Sequence, residues 1–188
     1  MPDDLPPLPP IAGLHQRHFG LTEKVAGSYA EAGAVCMQRH HLSPRAVHVA
    51  DEAVSHDYVA EWDTPSERLM AAWANRDDAT RDGAYGMVIA AAEAHYGYFV
   101  MGRARTGSGA DYLFSKLPHE PIGEGTLDLQ GVELFRLEVS GIDRCTSDAQ
   151  VDARLQLKLR QLKGGLSTLT GVAGVIAFNL ARIKFVKL

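Results

Sequence analysis

Cysteine is scarce in this sequence, whose 188 residues include only Cys36 and Cys145. The two stand far apart and neither belongs to a CxxC pair. The sequence therefore offers neither a disulfide framework nor the ligand spacing of a zinc ribbon. This usage is typical of a reducing compartment, and we predict a cytoplasmic location.

Long apolar runs are also missing. The stretch from Met87 to Ala92 is soon interrupted by Glu93 and His95, so it is too short to span a membrane. The first ten residues contain two aspartates, five prolines and no basic residue, whereas a secretory signal begins with a positively charged segment. The sequence predicts neither a standard secretory signal nor a membrane-embedded segment.

Positive charge is not in excess either, because the formal net charge is −4. A chain without a basic field can contact nucleic acid only through a local patch. The hydrophobic fraction of 46% and the charged fraction of 22% are those of a folded globular protein. We expect one α/β domain over residues 21–188, with its core in residues 83–188 and an N-terminal elaboration in residues 21–82.

Proline is concentrated at the N-terminus, where residues 1–20 include the run Leu-Pro-Pro-Leu-Pro-Pro and show no helical period. This pattern predicts a flexible, polyproline-like arm that is free to dock on a protein partner. Behind the capping residue Thr22, apolar residues recur at helical spacing and predict a helix within residues 21–41. Two short alternating runs around a polar turn predict a β-hairpin within residues 45–62.

Two further helices are predicted in the middle of the chain. The tetrad Thr64-Pro65-Ser66-Glu67 has the pattern of a capping box with Thr64 as the cap, so a short helix to about Asn75 should follow. The next helix is expected over about Gly83 to His95. Three aspartates can cap it: Asp77, Asp78 and Asp82.

The pattern then changes to that of strands. Tyr98 to Arg103 and Asp111 to Ser115 flank a glycine-rich turn and predict a hairpin. A loop of about residues 116–131 follows. Residues 132–141 alternate apolar and polar side chains, as a strand with one buried face does.

The chain ends with a predicted helix and two strands. Four apolar residues at helical spacing predict a helix that packs on the sheet through one stripe: Val151, Leu155, Leu159 and Leu162. Val172 to Phe178 is uniformly apolar, as in a central strand, and Arg182 to Leu188 predicts a final edge strand with a basic face.

Three carboxylates fall at defined places in this order. Glu93 is near the end of the helix before the strands, Asp111 opens the second strand, and Glu138 lies inside the third. Mg²⁺ and Mn²⁺ prefer hard oxygen ligands, and two or three carboxylates leave room for water and a substrate phosphate. A buried acid without a partner is strongly disfavoured, so Glu138 in particular needs a cation nearby.

On these residues the sequence resembles the PD-(D/E)XK nuclease superfamily, which includes many restriction enzymes, Holliday-junction resolvases and repair nucleases. The resemblance covers about residues 85–178 and implies a mixed central sheet of the restriction-endonuclease type. It also implies that Asp111 and Glu138 bind Mg²⁺ or Mn²⁺ for phosphodiester hydrolysis, with Glu93 as an optional third ligand.

The third motif departs from the family pattern, because Glu138-Val139-Ser140 has serine where the family has lysine. The missing group is the one thought to position or activate the attacking water. At 100° per residue, Lys158 lies at the border of the buried stripe of the following helix. We expect Lys158 to replace the missing lysine, and without such a replacement the site would be degenerate.

Each of these residues also has a simpler interpretation. Asp111 follows Gly107-Ser108-Gly109 and could serve only to cap a turn. Glu93 and Lys158 could be solvated helix residues. Glu138 could pair with an arginine of its own or a neighbouring strand: Arg136, Arg103 or Arg105. The eight histidines lack the spacing of a zinc site, so structural or solvent-exposed roles are favoured for them.

Three function classes remain open. The first is a metal-dependent nuclease that meets the phosphates of DNA or other nucleic acid through Arg103 and Arg105. The second is a non-catalytic module on the same fold that binds a protein or nucleic acid, for example in a phage-defence or toxin-type system. The negative charge, the missing lysine and the proline-rich arm favour this second class. A scaffold subunit without a metal site is the third.

Overall fold

A computed structural model describes residues 4–116 and 133–188. Its helices are α1 (Glu23–Gln38), α2 (Glu67–Ala72), α3 (Arg76–Tyr96) and α4 (Asp148–Gly164). Its strands are β1 (Arg45–Ala50), β2 (Ser55–Ala60), β3 (Phe99–Arg103), β4 (Tyr112–Ser115), β5 (Leu134–Ile142), β6 (Gly171–Ala177) and β7 (Arg182–Lys187). In the described residues no helix is long and apolar enough to cross a membrane. The loop predicted for residues 116–131 lies outside these residues, apart from Lys116.

The strands form one mixed sheet in the order β2-β1-β7-β6-β5-β4-β3. β3, β4 and β5 are successive antiparallel neighbours, and α4 crosses over from β5 to β6, which runs parallel to β5. β7 is antiparallel to β6 and parallel to β1, and β1 pairs with β2 in a hairpin. The predicted α/β class with a mixed sheet is confirmed, and the elements from α3 to β6 occur in the predicted order.

The two faces of the sheet are covered by different helices. Along β6, Val172 and Ile176 join the core that contains α1 and α3, whereas Ala173 and Val175 join the core that contains α4. This division follows from the alternation of side chains along a strand. The predicted stripe of α4 is buried in the second core: Val151, Leu155, Leu159 and Leu162.

Two helix starts differ from their predictions. The cap of α2 is Ser66, whose hydroxyl accepts from the Leu69 N–H, and the helix ends at Ala72. Thr64 and Ser66 have the same capping chemistry, so the sequence pattern alone could not choose between them. The third helix begins earlier than expected, because the Asn75 side chain caps it by accepting two backbone N–H bonds.

The last strand is internal, and its predicted position at an edge is wrong. β7 lies between β6 and β1, because the N-terminal hairpin joins the same sheet through β1. Arg182 and Lys184 face α4, where Lys184 Nζ lies 2.8 Å from Asp152 Oδ1 and Arg182 pairs with Asp148. Lys187 instead lies over the Tyr96 ring of α3. The alternating charges of Arg182 and Lys184 therefore reflect ion pairs with a helix and not a solvent-exposed edge.

The proline-rich segment packs on the protein itself, so the prediction of a flexible arm over residues 1–20 is wrong for residues 4–20. Pro7 forms a parallel bridge with Val59, and the Leu8 N–H donates to the Val59 carbonyl at 2.7 Å. Leu8, Ile11 and Leu14 are buried in the core with α1 and α3. These three apolar side chains are thus occupied within the chain, and they are not displayed for a partner.

Leu155 and Leu157 provide a matched test of the α4 packing, because they are 2% and 49% exposed. We expect Leu155→Ala to lower the free energy of unfolding by about 2–5 kcal/mol, since it removes a buried side chain and leaves a cavity. Leu157→Ala should change it by less than about 0.5 kcal/mol. Urea unfolding followed by circular dichroism measures both values, and equal losses would contradict the packing.

Candidate active site

Asp111 is bound to β5 by both its backbone and its side chain. Its N–H donates to the Leu137 carbonyl at 2.8 Å, and its Oδ2 accepts from the Val139 N–H at 2.8 Å. The β4–β5 register pairs Tyr112 with Leu137, and continuing it by one step places Asp111 opposite Glu138. Residues directly opposite on an antiparallel pair share a face of the sheet. The two predicted carboxylates are therefore neighbours.

Tyr85 of α3 holds the other oxygen of Asp111. The tyrosine hydroxyl donates to Asp111 Oδ1 at 2.9 Å. Burial, and after it the negative charge of Asp111, raise the pKa of Tyr85 well above its ordinary value, so the hydroxyl stays protonated as a donor. Sequence reasoning missed this contact, because the helical period of Tyr85 indicated only an apolar face.

A tyrosine cluster beside Tyr85 holds Arg103. The Arg103 guanidinium donates to the Tyr29 hydroxyl and lies 4.3 Å from the centre of the Tyr112 ring. The Tyr29 and Tyr112 hydroxyl oxygens are 2.5 Å apart. Arg103 is thus positioned by aromatic contacts, next to the cleft where a phosphate contact was predicted.

Glu138 is a buried acid with a cation beside it. Glu138 is 6% exposed to solvent, and Lys158 Nζ lies 2.7 Å from Glu138 Oε1. Burial raises the pKa of Glu138, the ammonium of Lys158 lowers it, and the negative charge of Asp111 raises it again, with a result of about 7. The arginines considered as alternative partners do not form this ion pair.

Lys158 reaches Glu138 because α4 packs on the face of β5 that carries this acid. The neighbouring positions Leu155 and Leu159 are buried, and the Lys158 side chain is 18% exposed. The stem of the lysine therefore lies along the apolar contact, and its amine ends at the carboxylate. The structure brings Asp111, Glu138 and Lys158 together.

Arg136, two residues before Glu138, fixes the loop that borders the site. Its guanidinium is buried and donates to the carbonyls of Ser108 at 2.6 Å, Leu169 at 2.9 Å and Leu162 at 3.1 Å. The loop and α4 approach so closely that a Cβ atom on Gly165 would lie 1.9 Å from the Ser108 carbonyl oxygen. The β3–β4 turn is thereby joined to the end of α4.

The cleft consists of two cavities that share Asp111 as a lining residue. One has a volume of about 350 Å³ and is bordered by the β3–β4 turn, including Arg103 and Arg105, and by Glu138. The other has a volume of about 510 Å³ and is lined by Tyr85, Lys158 and the end of β5. Both open to solvent, so a polymer could pass over the carboxylates.

Glu93 does not belong to this cleft, which corrects its predicted role as a third ligand. It follows Tyr85 by eight positions on α3, about 12 Å along the helix axis. Its carboxylate accepts from Arg17 Nε at 2.9 Å and lies 3.0 Å from His18 Nε2. The other ring nitrogen of His18 accepts from the Val100 N–H, so Glu93 fastens the N-terminal segment to α3 and β3.

His40 and His41, although adjacent in sequence, have separate partners. His40 lies 2.8 Å from Asp143, and His41 lies 2.8 Å from the Phe178 carbonyl. Over residues 4–116 and 133–188, no three histidine, cysteine, aspartate or glutamate side chains converge as ligands of a metal ion. A metal at the cleft would rely on two carboxylates, as Mg²⁺ sites completed by water and substrate phosphate do.

Comparisons with protein-family models, curated proteins and solved structures find no significant match to this chain. The cleft itself combines two adjacent carboxylates, a lysine beside one of them and arginines at the rim.

The raised pKa of Glu138 predicts a pH-dependent stability. Because folding favours the protonated form, the stability that this provides is present below the ordinary pKa of 4.5 and is lost as the pH rises to about 7. The glutamine of Glu138→Gln cannot ionise. The free energy of unfolding of wild type minus that of this variant should therefore decrease as the pH rises from 4.5 to about 7. Denaturant unfolding in EDTA at several pH values measures it, and parallel pH profiles would show that Glu138 does not titrate in this way.

Proposed function

We propose that this protein hydrolyses phosphodiester bonds in nucleic acid with the help of Mg²⁺ or Mn²⁺. The observation that carries the proposal is the contact of Lys158 with Glu138, opposite Asp111, in an open cleft. A lysine and two carboxylates are the groups that the PD-(D/E)XK pattern requires, and here the lysine comes from α4. The order of elements from α3 to β6 supports the same resemblance.

The two carboxylates suit a hard divalent cation. They are adjacent, and the effect of Asp111 on the pKa of Glu138 reflects like charges that a cation would relieve. Such an ion, when bound, would act as a Lewis acid on the phosphate and lower the pKa of a coordinated water. Asp111 and Glu138 would hold it, and Glu93 would not take part.

The remaining residues of the cleft have separate tasks in this proposal. Lys158 offers a cation near the acidic ligand, where it can orient the attacking water or offset negative charge on the phosphoryl oxygens. Tyr85 orients Asp111 through its hydroxyl. Arg105 lies at the rim of the first cavity and can bind another phosphate of the nucleic acid substrate.

Metal binding can be tested with isosteric amides. We expect the double variant Asp111→Asn/Glu138→Gln to bind Mn²⁺ at least about tenfold more weakly than wild type. Mutation of a residue that only hydrogen-bonds to a metal ligand already lowers metal affinity by about that factor. Isothermal titration calorimetry measures the affinity. Glu93→Gln is the control: it should keep the affinity of wild type while lowering the melting temperature, because Arg17 and His18 lose an ionised partner. Equal affinities in all three proteins would exclude this metal site.

A lysine exchange tests catalysis. Lys158→Ala should reduce divalent-dependent cleavage by about 100-fold or more, the effect of removing one stabilising donor from an active site. Ser140 lines the same cavity as Lys158 and lies on the same face of β5 as Glu138, so Lys158→Ala/Ser140→Lys should regain part of the rate. Initial rates on labelled DNA and RNA, single- and double-stranded, provide the measurement.

Lys163→Ala, at the exposed end of α4, is the matched control and should cleave as wild type does. If wild type cleaves none of these substrates with Mg²⁺ or Mn²⁺, and Ser140→Lys creates no activity, the catalytic proposal fails. A non-catalytic binding module on this fold would then be the better account of the protein.

A further inference from the structure

The second cavity contains arginines that sequence reasoning did not single out. Arg144, just after β5, and Arg154, on α4, line it together with Lys158. Arg154 Nη1 lies 3.5 Å from Ser140 Oγ, at the position where the family pattern has lysine. Arg105 lines the first cavity, which also borders Asp111.

These arginines differ from many other cations of the protein in having no acidic partner. Within the described ranges 4–116 and 133–188, no carboxylate forms a salt bridge with Arg105, Arg144 or Arg154. Six other cations in these ranges, away from the carboxylate pair, do have acidic partners: Arg17, Arg76, Arg81, Lys116, Arg182 and Lys184. A chain with a net charge of −4 thus keeps unpaired positive charge at both ends of one cleft.

One acid of the second cavity is neutralised by other groups. Asp143 also lines the second cavity, but its two oxygens lie 2.8 Å from His40 Nε2 and 3.2 Å from Arg76 Nη1. The charge of Asp143 is therefore compensated from outside the cleft. Asp77 also lines this cavity, but Arg144 and Arg154 outnumber it there.

We propose that the cleft binds a single strand of nucleic acid, with one phosphate on Arg105, another on Arg144 and Arg154, and the bond to be cleaved over Asp111 and Glu138. The position of that bond depends on the function proposed above, whereas the strand path depends only on the arginines. Arginine suits this task because its guanidinium binds phosphate oxygens in a bidentate manner.

The placement of the charges favours a single strand over a duplex. The arginines line two cavities of about 350 and 510 Å³ that share Asp111, so a backbone must enter these small cavities to contact the arginines of both. Duplex DNA is stiff over roughly 150 base pairs and cannot easily deform to send one strand into them. A flexible single strand can follow a charged groove without sequence preference.

The salt dependence of binding tests this path. Each phosphate contact to a single strand contributes about −0.7 to the slope of log affinity against log salt concentration, so the two proposed phosphate contacts should give a slope of about −1.4. Fluorescence anisotropy of a labelled single-stranded oligonucleotide, in EDTA so that no cleavage occurs, measures the slope. Arg105→Gln should make the slope shallower by about 0.7, because it removes one phosphate contact, and the double variant Arg144→Gln/Arg154→Gln should do the same for the other.

Arg160→Gln is the matched control, because Arg160 is an exposed α4 residue that lines neither cavity. It should leave the slope unchanged, and melting temperatures show whether each variant is folded. A parallel titration with duplex of the same sequence should give weaker binding, and DNA and RNA strands compared side by side show whether the sugar matters.

Two results would overturn the strand path: slopes in the cleft variants equal to that of Arg160→Gln, or duplex bound as tightly as the single strand. These outcomes are separable from the failure of the catalytic proposal. Arginine-dependent binding without divalent-dependent cleavage would keep the path and reject the nuclease, whereas cleavage with unchanged slopes would do the reverse.

Discussion

The two bonds that join Asp111 to β5 set the geometry of the cleft. The backbone of Asp111 donates to Leu137 and its carboxylate accepts from Val139, so the residue between these two, Glu138, must lie beside it. A strand N–H that lost this acceptor would need another one, which makes the contact part of the sheet as well as of the site. A shift of β4 by one residue would turn Asp111 to the opposite face.

Burial of Glu138 then makes the packing of α4 part of the same chemistry. An acid this deep in a sheet requires a nearby cation. Lys158 provides it, because the buried Leu155 and Leu159 hold this turn of α4 against the sheet. Arg136 joins the β3–β4 turn to the end of α4 and keeps the rim of the cleft in place. Apolar contacts and polar contacts therefore position the same few side chains.

Close packing of α3 brings Tyr85 to Asp111 from the other face. A Cβ atom on Gly83 would lie 3.0 Å from the backbone of Ala32 in α1, and one on Gly141 would lie 2.5 Å from the Thr80 carbonyl oxygen. Glycine at these positions lets α3 approach both α1 and β5. Near its other end α3 is held by Glu93, so this acid supports the helix that carries Tyr85 without reaching the cleft.

The sequence pattern was sufficient to predict the α/β class, the order of elements from α3 to β6 and the buried stripe of α4, because periodicity reflects which side of an element is buried. It also placed Glu138 inside a strand and Asp111 at the start of the preceding one, where β4 begins one residue later. Which elements become neighbours depends on contacts between distant residues. For that reason only the tertiary structure decided that β7 is internal, that residues 4–20 pack on their own sheet and that Glu93 faces Arg17. Helical spacing put Lys158 at the border of a buried face, but its contact with Glu138 exists because α4 crosses β5 at that point.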